Sequence, residues 1–245
     1  MRKQFVVVLV AAASLAMAQA QKPKTKSEGE ALMAIQAEQD PKEKIAKVDA
    51  FVAKFADTDF KPWAYTQAAE SAQRLNDSAK VIIYADLALE ADPKAYHPML
   101  MESAELARTT RENDLDKEEK LTKADKLAHQ AMTLIPDVPK PNDKIPDDQW
   151  AEIKKEFLAD AHQDLGMIAS VRKKYDVAIA EFKQAVEIPA QPDQPTFIRL
   201  AGAYNDNKQP DEALAVLAKM PANPQLQSFV DREKKRAELL KAAKK

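Results

Sequence analysis

The sequence predicts an all-α chain of stacked helix pairs, an α-solenoid, and three observations carry that expectation. Glycine is scarce and proline common, 3 against 15 in 245 residues, so proline rather than hairpin glycine punctuates the chain. Clusters of valine, isoleucine and tyrosine that would mark strands are few, whereas apolar residues recur at three- and four-residue steps. The helices so predicted follow one another with short polar turns, the pattern of a quasi-one-dimensional stack. A composition 45% hydrophobic and 31% charged excludes a disordered tail or a collagen-like fibre, and the absence of cysteine excludes a disulfide scaffold. With 37 Lys+Arg against 39 Asp+Glu, the near-neutral charge gives no reason to expect a nucleic-acid partner.

Residues 1–20 read as an export signal. Met1-Arg2-Lys3-Gln4 is a short basic start, Phe5 to Met17 is almost entirely apolar and small, and Ala18-Gln19-Ala20 fits the signal-peptidase pattern, with cleavage before Gln21. The apolar run falls short of the about 20 strongly apolar residues of a membrane span. A buried N-terminal helix is disfavoured by the solvated Gln21-Lys22-Pro23-Lys24-Thr25-Lys26 that follows; an uncleaved anchor is the stronger rival. No cysteine follows the apolar run, so a lipid-anchored lipoprotein is excluded. Cleavage removes Arg2 and Lys3 and no acid, lowering 37 basic residues to 35 against 39 acidic ones. The expectation is a soluble periplasmic or secreted protein with no stable membrane insertion once the signal is lost.

After a linker at 21–27, a helical pair is predicted over 28–58. Ser27-x-x-Glu30 reads as a capping box ahead of Ala31, Leu32 and Ile35, and Asp40-Pro41 ends that helix and starts the next. Ile45, Val48, Phe51, Val52 and Phe55 form the apolar stripe of the second helix. Further pairs are predicted at about 62–75 with 78–91, and from near Pro98 with Leu121 to Leu134, the latter separated by the charged stretch Arg108 to Lys120. Pro136, Pro139, Pro141 and Pro146 make 136–146 a linker. A long helix then starts near Asp147, its partner carries Tyr175 to Ala185, and a last pair occupies about 195–206 and 210–219. Asn223-Pro224 opens a C-terminal capping helix over 223–245 with a Lys/Arg-rich end. That end could touch anionic lipid or nucleic acid, but Glu233 and Glu238 interrupt it, while Phe229, Leu239 and Leu240 offer a packing side.

A shared frame appears when the second helices are aligned. Ala178-x₃-Phe182-x₂-Ala185 recurs 35 positions later as Ala213-x₃-Leu217-x₂-Met220. His162-x₂-Leu165-Gly166-x₂-Ala169 precedes the first copy and Phe197-x₂-Leu200-Ala201-x₂-Tyr204 the second. This resembles the tetratricopeptide repeat, in which an aromatic, a Leu-Gly/Ala pair and a Tyr lead to Ala, Phe, Ala and a closing Pro. Gly166 and Ala201 then lie where a first helix presses on its partner. Looser units carry Tyr65, Ala68, Ala69, Ala72, Ala85, Ala88 and the exit Glu90-Ala91-Asp92-Pro93, and then Leu100, Ala104, Ala107, Ala124, Ala128, Ala131 and Pro136. Val81 stands where the frame has alanine, and the insertions at 108–120 and 136–146 depart from the family spacing. About four repeats over 59–222 are expected; a generic helical bundle would share the pattern without the spacing.

The resemblance implies a protein-binding scaffold or adaptor that does no chemistry, with a concave wall of first helices that holds a peptide or helix. Carried over position by position, the groove candidates are Trp63, Thr66, Glu70 and Arg74; Met101, Glu105 and Arg108; Asp160, Gln163 and Met167; and Ile198, Arg199, Gly202 and Asn205. Trp63 and Met101 are the favoured anchors, as large apolar groups expected on an exposed wall. Family members that clamp a C-terminal carboxylate use Lys and Asn at positions held here by Thr66, Glu70, Glu102, Asp160 and Asp164, so a basic or neutral peptide fits better. His97, His129 and His162 are the only histidines, with no metal motif, phosphate loop or nucleophile elbow, so no catalytic residue, metal or cofactor is assigned. The alternative is a structural subunit of an envelope complex that assembles permanently through its repeats.

Overall fold

The computed structural model describes residues 22–243, which form eleven α-helices and no strand among the described residues. The export signal expected at 1–20 lies outside them, as do Lys244 and Lys245. The helices are α1 (Lys26–Ala37), α2 (Pro41–Lys54), α3 (Lys61–Arg74), α4 (Ser78–Ala91), α5 (Tyr96–Thr109), α6 (Lys117–Leu134), α7 (Asp147–Val171), α8 (Tyr175–Glu187), α9 (Gln194–Asp206), α10 (Pro210–Lys219) and α11 (Gln227–Ala242). Each packs chiefly on the one before it and the one after it, so the chain is a stack of antiparallel pairs.

Local chemistry sets most of the boundaries. Asp40 caps α2 by accepting from the backbone N–H of Lys42 at 2.8 Å and of Glu43 at 3.1 Å, with Pro41 in the first turn. The cap of α1 is Thr25, whose Oγ1 accepts from Glu28 N at 3.1 Å, not the expected Ser27 box. Glu28 instead turns inward, where its Oε1 accepts from Thr58 Oγ1 at 2.5 Å and ties the start of α1 to the α2–α3 turn. α5 begins two residues before Pro98, α6 begins one turn before Leu121, and α11 begins at Gln227 rather than at Asn223.

Three pair turns share one design. Asn76, Lys173 and Lys208 adopt φ of 56°, 59° and 60°, each just past the end of a first helix. Asp77, Lys174 and Gln209 then donate from their backbone N–H to the carbonyls of Ala72, Ala169 and Tyr204, five residues back, at 2.9–3.0 Å. This is the Schellman arrangement, which satisfies carbonyls that a helix end leaves open. The α5–α6 pair lacks it: Thr110 Oγ1 back-bonds to Leu106 O at 2.6 Å and a charged loop follows.

The core is a chain of small clusters, each shared by neighbouring pairs. Alanines supply the close approaches: Ala68, Ala69, Ala72, Ala85, Ala88, Ala124, Ala128, Ala131, Ala178, Ala201 and Ala213 are all fully buried. The proline-rich stretch is not a free linker. A 3-10 turn at Ile135–Asp137 begins it, Ile135 and Ile145 are buried, and Trp150 Nε1 donates to Val138 O at 3.0 Å. These groups pack with Met99, Leu100, Phe157 and Ala161 and cover the extra N-terminal turns of the 25-residue α7. Arg172 fastens the other end of α7 to α6 through Glu118 at 3.0 Å, Asp125 at 3.1 Å and Thr122 at 3.2 Å.

Candidate functional site: the wall of first helices

First helices touch their counterparts in the next pair, α3 with α5, α5 with α7, α7 with α9 and α9 with α11. Second helices α4, α6, α8 and α10 make no comparable contact with one another. The first helices thus line up along the stack as one continuous wall.

The groove candidates divide by depth. Trp63 and Met101 are only 7% and 5% exposed and share one core cluster between α3 and α5, so they pack the seam and are not displayed on an open wall. Thr66, Glu105, Ile198 and Asn205 are buried as well. Thr66 Oγ1 donates back to Pro62 O at 2.7 Å. Ile198 packs with Val230 and Ala237 of α11, and Asn205 donates to the backbone O and Oε2 of Glu233 at 3.0 and 3.2 Å. The end of the wall is thus covered by the C-terminal helix. Glu70, Gln163, Met167, Arg199 and Gly202 remain half-buried, and Arg74, Arg108 and Asp160 are exposed. Arg74 donates to Gln39 O at 2.8 Å, and Arg108 pairs with Glu105 and with Ser78 Oγ. Gln163 Oε1 accepts from Arg199 Nη1 at 3.2 Å and from Thr196 Oγ1.

The wall's acids are mostly sunk. Of the positions that rule against a carboxylate clamp, Thr66, Glu102 and Asp164 are buried and Glu70 is half-buried. Burial pushes Glu102 up to about 7, although the Lys123 ammonium of α6 stands 2.5 Å from Oε1 and opposes the shift; Asp86 of α4 adds to it. Burial likewise raises Glu70 to about 7 and Asp164 well above the ordinary aspartate value. His97 moves the other way, down to about 4, because burial beside Tyr96 and Phe157 disfavours its cation. Arg199 is also lowered by burial, against the attraction of Asp193 and Asp164. His162, expected at an aromatic packing position, is largely buried with Nδ1 2.7 Å from Glu181 Oε2.

No family model and no curated protein matches the sequence. Among solved structures, the chain is similar to a thermophilic TPR protein of Thermus thermophilus, with 16% identity, 81% of this chain and 91% of that one covered, and a TM-score of 0.53. Similarity at that identity establishes the fold, a tetratricopeptide-like stack of helix pairs.

Proposed function

We propose that this tetratricopeptide-like protein is a protein-binding scaffold or adaptor that receives a peptide or helix of a partner on its wall of first helices. The carrying observation is the unbroken succession of first helices, whose accessible groups are mixed in sign and polarity from Glu70 and Arg74 through Arg108, Asp160, Gln163 and Met167 to Arg199. Hydrogen-bonding groups of both kinds on a rigid helical wall suit a polar segment that donates and accepts along its length. No catalytic residue is assigned. The basic start, apolar run and Ala18-Gln19-Ala20 support export and a role at the cell envelope. No described helix is long and apolar enough to cross a membrane.

Because Trp63 and Met101 are packing residues, the test uses the accessible groups. Affinity capture from envelope extract with the chain beginning at Gln21 is compared with its Gln163→Ala/Met167→Ala/Arg199→Ala variant. Partners retained by the first and lost by the second support the wall; equal recovery overturns it. N-terminal sequencing of the protein isolated from its producing cell should begin at Gln21, and a retained Met1 would remove the cleavable signal.

A second reading, a permanently assembled structural subunit, draws support from apolar groups exposed on the first and last described helices, Met33 on α1 and Phe229 and Leu239 on α11. Mass measured by light scattering should then rise with concentration. A constant monomer mass would leave the adaptor.

A further inference from the structure

Two carboxyls lie in the seams between first helices with an oxygen that no donor reaches. At the α3–α5 seam, the Glu70 side chain is 24% exposed, yet its Oε1 is buried without a hydrogen bond, and His97 Nδ1 across the seam is 3.5 Å away and equally unpartnered. Its Oε2 accepts from Gln67 Nε2 at 2.9 Å, and Lys44 of α2 supplies a more distant positive charge. At the α5–α7 seam, Asp164 is 1% exposed and its Oδ2 is unpartnered. Ser103 of α5, as a hydrogen-bond donor toward the carboxyl, and Arg199 of α9 favour its ionised form, whereas Glu105 of α5 and Asp160 of its own helix oppose it, and burial outweighs all four. Helix α5 thus sits between two carboxyls, one from each neighbouring first helix.

An ionised oxygen buried without a donor is costly, whereas a neutral carboxyl in the same place is not. His97, held neutral by its own burial, brings no cation to Glu70. We propose that the wall of first helices is a proton-dependent device: Glu70 and Asp164 close their seams as neutral carboxyls, and loss of those protons loosens α5 from α3 and α7.

The direction in pH follows from linkage. Glu70 has an ordinary value of 4.5 and is raised to about 7 in the fold, so its stabilisation is complete below the ordinary value and gone above the raised one. Asp164 acts in the same sense from its ordinary 3.8 upward. His97, lowered from 6.5 to about 4, acts oppositely: its contribution is lost as pH falls through that interval. Glu102 on α5 is raised in the same range, and comparison of variants with the parent at each pH leaves it, His97 and the exposed groups in common.

The test is thermal melting of the chain from Gln21 and of Glu70→Gln, Asp164→Asn and the double variant, between about pH 3.5 and pH 8.5. The neutral replacements should match the parent at the acid end and melt several degrees above it at the alkaline end. Parallel curves would overturn the idea. A second measurement needs no variant to fold: carboxyl carbon NMR of the parent should show Glu70, like Glu102, titrating near about 7 and Asp164 well above the ordinary aspartate value. Titration of every carboxyl below about 5.5 would refute it. In a Trp150→Phe background, emission of Trp63 at the α3–α5 seam should shift to the red as pH rises, and should not do so once Glu70→Gln is added. An emission that ignores pH in the parent would show that the seam does not loosen.

Discussion

A methyl group added at Gly166 would have its carbon 2.6 Å from two carbons of the Phe182 ring, closer than any real contact allows. The ring is itself buried among Ala169, Ala178 and Leu200 and has little room to retreat. Gly166→Ala should therefore destabilise the fold by about 1–3 kcal/mol, read as a lower denaturation midpoint with unchanged slope. Phe182→Leu in the same chain should recover part of that loss, so the double variant lies well short of the sum of the two singles. Strict additivity would mean that the two residues do not compete for one space. Gly202 makes the opposite case. The nearest atoms to a Cβ there are the Glu233 carboxylate oxygen and carbon at 3.8 and 3.9 Å, an ordinary contact distance. Gly202→Ala should stabilise by about 0.5–1 kcal/mol through helix propensity, and a measured loss would show that the α9–α11 contact is tighter than this geometry.

At the level of elements, the left-handed turns are a stability reserve. Lys173 and Lys208 hold a conformation that costs a side chain about 1–2 kcal/mol and that glycine adopts freely. Lys208→Gly should raise the denaturation midpoint by the equivalent of about 1 kcal/mol, and Lys208→Val should lower it by more. These turns also show what could be read from the chain alone. Helix pairs, the 35-residue frame and the close approach at Gly166 were legible because apolar spacing and residue size act over a few residues. The cap of α1 was not, since Thr25 and Ser27 can both serve as caps and the inward pull of Glu28 on Thr58 decides between them. The 136–146 stretch read as a linker from its prolines, but Ile145 and Val138 meet Trp150 of α7, a contact that the proline spacing does not reveal. Trp63 and Met101 were misplaced for a deeper reason. Whether a first-helix residue faces the groove or the next first helix depends on how closely successive pairs approach, and that distance is set by contacts between repeats rather than within one. The same limit hid the seam carboxyls: Glu70 and Asp164 look like surface acids until the neighbouring helix removes their water.

Across the whole molecule, stability is distributed along a line. Among the described residues, contacts link each helix to its near neighbours, and even the Lys173–Glu112 ion pair spans only 61 positions. Such a stack is stabilised by a sum of interfaces, and its ends open more readily than its middle. Helix α1 rests chiefly on α2 and on the Glu28–Thr58 bond, whereas α5 is held by α3, α4, α6 and α7. Amide hydrogen exchange should be fastest in α1 and slowest in α5 and α7. Truncation before residue 223 sharpens the contrast, because α11 covers Ile198, Ala201 and Leu217 and its Arg236 pairs with Asp206 of α9. The truncated chain should exchange faster throughout α9 and α10 while α3 and α4 keep their protection, since no interface of theirs involves the lost helix. A single cooperative globule would instead lose protection everywhere by the same factor, and that result would show that the stack's interfaces do not act one by one.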